Sequence, residues 1–289
     1  MFFFFALISM IAFSVQGALL VRYARKMDGL SLAFYRNVSF FITLLPLLAF
    51  SSTQEILMVL SHWKALLISG ALGGISLTIV FSSYKFIAIG MGNAIGRASG
   101  TIVVAILGFF IFGETLSPVE LLLIGIIVIA CVWLATQQAH TPHISQRAFL
   151  GIALSIAAAI PVTFTFVILA DIARITDPLA SGYFWEVAIS ASTLIIVILR
   201  TIFFKKGLQK IDRKTALGIA TCSSPTLIGT GCYALALSMG PIALVSAIGT
   251  GSLFITGLLA WRWYNEKLRN TQWVAMTIIL ASIVMLKFV

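Results

Sequence analysis

The sequence predicts an all-α membrane protein. Ten transmembrane helices fall into two inverted five-helix repeats, with residues 1–138 as the first repeat, 139–148 as a linker and 149–289 as the second. Three observations predict this. First, 60% of the residues are hydrophobic and only 10% are charged. A water-soluble domain of this size cannot hide so much apolar side chain, so the bilayer is the solvent. Second, the chain repeats itself. Ala24-Arg25-Lys26-Met27-Asp28-Gly29-Leu30 returns as Ala173-Arg174-Ile175-Thr176-Asp177-Pro178-Leu179, so both copies read A-R-x-x-D-x-L. The same offset carries Tyr84 to Tyr233, Gly100 to Gly249 and Thr101 to Thr250. Third, each half holds five apolar runs. An odd number starts the second half on the opposite face of the membrane, which makes the repeats inverted about an in-plane axis.

A spanning helix needs roughly 20 apolar residues. The candidates are 2–21, 31–50, 65–89, 93–112, 119–136, 149–170, 179–203, 215–239, 242–263 and 271–289. The first is apolar from Phe2 with no basic segment before it, and it reads as a membrane span rather than a removable signal peptide. It carries one polar side chain at mid-depth, Gln16. The second contains Arg36 near its start, on the face from which Arg97 also enters the membrane; either it reaches into a central cavity or it snorkels to the surface.

Spans three and four meet in a tight turn near Met91. Tyr84 is a candidate wall or gate, as are Trp185 and Tyr233 further along the chain, unless they serve packing. Lys85 lies six residues before that turn and Arg97 six after, so an antiparallel hairpin sets both at roughly 9 Å from it, at 1.5 Å per residue. Three cations (Arg36, Lys85 and Arg97) without an acid at that level point to a carboxylate or phosphate guest. Span four carries two stripes. Gly92, Gly96 and Gly100 form a smooth packing face. Asn93, Arg97 and Thr101 form a polar one about 100° round the helix. Two readings of Arg97 stand: a cavity wall that holds an anionic group, or a snorkelling or structurally paired arginine. A charge facing lipid costs roughly 3 kcal/mol or more, which excludes a third.

The linker holds His140 and His143 as H-T-P-H, without an acidic or cysteine neighbour, so no metal site is expected. Cys131, Cys222 and Cys232 all lie in apolar runs and read as packing residues rather than as a disulfide framework. In span six, Thr163 and Thr165 face the cavity in one reading, and Pro161 marks a kink. Span seven holds Trp185 and Glu186; the acid reads as a proton-coupling group or as an ion-pair partner. Span eight carries Ser223, Ser224, Pro225, Thr226 and Tyr233, the proline again marking a kink. Span nine mirrors span four, with Ser246 in the place of Arg97 and Thr250 in the place of Thr101; this is either a hydroxyl-lined half of the site or small-residue packing.

Lysine and arginine set the orientation. Loop 1–2 carries Arg22, Arg25 and Lys26; loop 7–8 carries Arg200, Lys205, Lys206, Lys210, Arg213 and Lys214; loop 9–10 carries Arg262, Lys267 and Arg269. The alternate loops hold only Lys64 and Arg174, with Lys287 at the C-terminus. The positive-inside rule places loops 1–2, 5–6, 7–8 and 9–10 in the cytoplasm and both termini outside. The net charge of +10 therefore belongs to membrane loops, not to a nucleic-acid face.

These pieces resemble the drug/metabolite transporter superfamily, EamA type. Asp28-Gly29-Leu30-Ser31-Leu32-Ala33-Phe34-Tyr35-Arg36 is similar to that family's span-two start with its arginine. Phe112-Gly113-Glu114-Thr115-Leu116-Ser117 resembles its span 4–5 turn, and Tyr264-Asn265-Glu266-Lys267-Leu268 is the second-half counterpart. The family's aromatic midway along span one is absent, since Phe13-Ser14-Val15-Gln16 stands there, and its usual orientation places the termini inside, opposite to the charge bias. The resemblance implies secondary transport of amino acids, nucleotide sugars, other metabolites or drugs. The expectation is an inner-membrane transporter of a bacterium that moves a small polar metabolite, an amino acid or related anionic or zwitterionic compound, by alternating access. A multidrug exporter is the alternative, and a membrane-embedded enzyme is a remoter one. Expected substrate-binding residues are Arg97, Lys85, Asn93, Thr101, Ser246, Thr250, Gln16, Tyr84 and Tyr233, with Glu186 and Arg36 as a coupling group or ion pair. No Walker motif is present, and no cofactor is expected. The expected partners are the small-molecule substrate and the lipid bilayer, with the protein as a monomer or homodimer.

Overall fold

The computed structural model describes residues 1–24, 26–83, 86–87, 89–138, 148–264 and 269–288. Among the described residues the regular structure is helical, joined by turns and irregular loops. In chain order they are α1 (Phe2–Ala24), α2 (Gly29–Thr43) with a 3₁₀ extension (Leu45–Phe50), α3 (Thr53–Ser61), α4 (Trp63–Ser83), α5 (Ile89–Phe112), α6 (Pro118–Gln138), α7 (Ala148–Ile175), α8 (Pro178–Phe204), α9 (Arg213–Ser223), α10 (Thr226–Met239), α11 (Ile242–Thr250), α12 (Ser252–Tyr264) and α13 (Asn270–Met285).

The helix starts follow from short polar signals. Asp28 accepts from Ser31 N at the head of α2, and Asp177 accepts from Ala180 N at the head of α8, where Pro178 also presets the first turn. The aspartates of the two A-R-x-x-D-x-L copies thus perform one job twice. Ser117 and Glu120 exchange hydrogen bonds at the start of α6. Ser52 and Glu55 do the same for α3, a short helix between the second and third expected spans.

Among the described residues eight helices, counting α2 with its extension and α11 with α12, are long and apolar enough to cross a bilayer. They correspond to expected spans one to seven and nine. The other two are shorter. Expected span eight divides at Pro225 into α9 and α10, and α13 has 16 residues. Pro161, by contrast, sits within an undivided α7.

Packing follows the internal repeat. The mates are α1 with α7, α2 with α8, α4 with α9–α10, α5 with α11–α12, and α6 with α13. Helix α4 lies against α7 and α8, and its mate lies against α1 and α2. Helix α5 touches α7 as α11 and α12 touch α1, while α6·α13, α2·α8 and α5·α11 pair mates with each other. Exchanging the halves reproduces the main contacts. The tightest glycine contacts are not on the α5 stripe, where a Cβ at Gly96 or Gly100 would meet nothing closer than 3.6 Å. Much tighter ones lie elsewhere, as on α4, where a Cβ at Gly70 would fall 2.5 Å from the backbone oxygen Ala188 O of α8. Leu67, Ile68, Leu122, Ile129 and Ile202, on the outside, are all more than half exposed, as side chains facing lipid are.

Candidate functional site

A central cavity of about 290 Å³ lies between the two repeats. Helix α1 crosses its whole length, contributing Ser9, Phe13, Gln16 and Gly17; α2 adds Arg36, α5 adds Asn93 and Arg97, α8 adds Trp185 and Glu186, α10 adds Tyr233, and α11–α12 add Gly249 and Ser252.

Arg36 does not snorkel. It is 8% exposed and fully bracketed. Its Nη1 donates to Asn37 Oδ1 (2.8 Å), and its carbon sits 4.5 Å from the centre of the Phe40 ring. The carboxamide of Gln16, oriented oxygen toward the guanidinium, accepts from Nε at 2.9 Å and also bonds Thr226. Asn37 passes the network to α8 through Thr193 Oγ1 (2.8 Å). Glu186 is 3% exposed, accepts from Thr230 Oγ1 at 3.1 Å, and interacts electrostatically with Arg36. An acid therefore stands in the cavity with Arg36 and Arg97. The expectation of cations without an acid at that level is corrected: Glu186 belongs to the second repeat, and only the assembled fold brings it opposite α2.

Arg97 differs. It is half-buried, lines the cavity beside Asn93, and lies along α11, where a Cβ on Gly249 would stand 3.4 Å from its Nη1. The other hydroxyls of the expected site turn elsewhere. Thr101 is 1% exposed and lies 3.5 Å from Ser246 Oγ between α5 and α11. Thr250 is fully buried and donates to Ala247 O. Neither these three nor Thr163 and Thr165, which bond their own helix, line the cavity. The i+4 spacing placed Thr101 below Arg97 correctly, but α11 covers that level. Tyr84 and Lys85 lie outside the described residues, as do His140, His143 and Glu266.

Of the aromatic wall, sequence reading picked out Trp185 and Tyr233, which line the cavity, and missed Phe13 and Phe166. Phe13 and Tyr233 meet edge-on with centroids 6.2 Å apart, Tyr233 and Phe166 at 5.2 Å, and Phe166 and Trp185 at 5.9 Å. Phe13 thus supplies an aromatic from span one after all. The signal was present: Ser9, Phe13 and Gln16 share one face of α1 at i, i+4, i+7. Ser9 Oγ and Trp185 Nε1 are buried without a hydrogen-bond partner among the described residues, and both residues line the cavity. Such groups are costly unless something in the cavity meets them.

The two ends of the cavity differ. Toward the start of α1, Arg174 of α7 pairs with Glu114 at 2.6 Å and donates to Leu237 O and Gly240 O, while Glu114 accepts from Ile242 N at 2.9 Å. One ion pair thereby joins the α5–α6 turn, the end of α7, the end of α10 and the start of α11. Toward the end of α1, the lining continues through Val21, Ala24, Phe81 and Thr256, and Gly17 is exposed with nothing within 4 Å of a Cβ there. At that end Arg200 pairs with Asp28 at 2.9 Å. Burial alone would raise the Asp28 pKa, but hydrogen bonds from Ser31 and Arg200 outweigh it and hold the carboxyl below its ordinary value.

No cluster of three or more metal-ligating side chains occurs among the described residues. The model of the EamA-like transporter family matches residues 1–136 and 149–288, one match per repeat. Among solved structures, one described only as "Crystal structure of protein" superposes with a TM-score of 0.71 over 97% of this chain and 96% of that one, at 15% identity, which is likeness of fold alone. No curated protein matches.

Proposed function

The chain belongs to the EamA-like transporter family, and from that premise we propose that it is a secondary transporter for a small amino acid or related zwitterionic or anionic metabolite. The observation that carries this reading is the joint presence of Arg97, Arg36 and Glu186 in one cavity. Arg97 offers a fork for a carboxylate. Glu186, contributed to the same cavity by the other repeat, offers a carboxylate to an ammonium. The aromatic wall takes the apolar body, and Trp185 Nε1 and Ser9 Oγ are donors for the remaining acceptors.

Transport proceeds by alternating access: ten spans in two inverted halves rock about the cavity, with the Arg174–Glu114 end parting as the other closes. The basic loops face the cytoplasm of a bacterial inner membrane, and both termini face outward. A C-terminal reporter that is active only in the cytoplasm would reverse that orientation.

A multidrug exporter is the second reading, favoured by the aromatics that surround an acid; a lipophilic cation would stack there. Uptake into proteoliposomes separates the two. The panel holds neutral amino acids, dicarboxylates and a lipophilic cation, with and without a pH gradient. Saturable zwitterion or anion uptake supports the first reading. Transport of the lipophilic cation alone, abolished in Glu186→Gln, replaces it with the second.

A further inference from the structure

A second hollow lies outside the central cavity, on the lipid-facing side where α2, α4 and α8 meet. Its volume is about 480 Å³. Leu30, Ile196, Leu199, Phe203 and Phe204 make its walls almost wholly apolar. Two cations, Arg200 and Lys206, stand on its rim. Helix α8 stops there abruptly. Lys205 takes a left-handed backbone conformation (φ 51°), which sets Lys206 beside the last apolar turn rather than a further turn away.

The vertical order is what matters. Phe203 and Phe204 are each 74% exposed, a degree that only hydrocarbon can cover in a membrane protein. Lys205 and Lys206 follow directly in sequence, and Arg200 stands one turn before. The acid Asp28 is held by Arg200, so Lys205 and Lys206 leave the rim in positive excess. An apolar trough that ends in uncompensated cations at the polar boundary matches one ligand chemistry: an acyl chain joined to a phosphate. We propose that this hollow is a binding site for an anionic phospholipid, with one acyl chain along Leu199 and Phe203 and the phosphate against Lys206 and the free edge of Arg200. Because α2 and α4 belong to the first repeat and α8 to the second, the bound lipid bridges the halves on the side away from the Arg174–Glu114 pair.

The full-length protein purified in detergent tests this. It is titrated with phosphatidylglycerol, with phosphatidylcholine of identical acyl chains, and with inorganic phosphate. Retained lipid is read by native mass spectrometry and stability by thermal unfolding. Phosphatidylglycerol is expected to be retained and to raise the unfolding temperature, with phosphatidylcholine weaker and phosphate inert. Lys206→Gln, an exposed position, is expected to lower retention about fivefold, the equivalent of about 1 kcal/mol for one interfacial cation. Phe203→Ser is expected to lower retention of both lipids. Lys64→Gln, a cation beside Trp63 away from the hollow, is expected to change nothing. Equal retention of the two lipids, wild-type retention by Lys206→Gln, or a shift reproduced by phosphate alone would each overturn the proposal.

Discussion

Arg36 and Arg97 stand in one cavity with opposite surroundings. Arg36 is enclosed: Asn37, Gln16 and Phe40 hold it on three sides and Glu186 balances its charge. Arg97 lies half-buried along a glycine of the facing repeat, with its side chain on the cavity wall. The difference teaches that a charge inside a membrane protein can serve two purposes. One arginine ties α1, α2 and α8 into a polar girdle and thereby shapes the site. The other lines the wall of the cavity, where the proposed function has it meet the substrate. Hydropathy treats them alike, because both are single cations in apolar runs.

That comparison can be broken by substitution. Arg36→Ala should have the largest effect. It leaves Gln16, Asn37 and Glu186 buried without their common partner, at a cost of roughly 3–5 kcal/mol. Thermal unfolding in detergent should show the loss, with Arg36→Lys recovering little because the fork is gone. An Arg36→Ala protein that unfolds like the wild type would reduce Arg36 to the same class as Arg97.

Arg97→Ala should act on affinity instead. A charge-assisted bond to the guest is worth about 1.5–3 kcal/mol, so KM should rise roughly ten- to a hundredfold in protein shown to be folded. Arg97→Lys should restore part of it. Uptake at several substrate concentrations decides the matter. Normal KM in folded Arg97→Ala would make this arginine structural and remove the main support for an anionic group on the substrate.

Asp28→Asn sharpens the comparison from outside the membrane. Asn preserves the helix cap but not the pairing with Arg200, and the partners are about a quarter exposed, so the loss should be roughly 0.5–1 kcal/mol. Its pH dependence has a definite sign. The carboxyl is held below its unfolded value, so its contribution is complete above pH about 4 and fades as pH falls through the lowered folded value. Unfolding measured from pH 7 downward should show this loss in the wild type and a flatter profile in Asp28→Asn. Identical profiles would mean that Asp28 does nothing beyond capping.

Much of the architecture was legible in the chain. The repeated A-R-x-x-D-x-L marked Asp28 and Asp177 as equivalent positions, and the structure shows both as caps, a role that depends only on residues three apart. Asn93 and Arg97 were placed on one face by helical period alone. The period could not say that α11 covers the next turn, which removes Thr101 from the cavity and buries Thr250. Nor could it find Arg36's partners. Gln16, Thr193 and Glu186 come from helices far apart in sequence, and no local pattern encodes their meeting.

The sequence by itself determined the solvent, the repeat and the helix starts. Composition settles the first, self-similarity the second, and capping chemistry the third, and none of these depends on what lies across the cavity. The tertiary structure alone decided which charges share a space. Side-chain neighbours in a bundle are set by the crossing of helices from both repeats, and that crossing put Glu186 opposite Arg36, opened a place for Arg97 beside Gly249, and joined Arg174 to Glu114 at the cavity's other end.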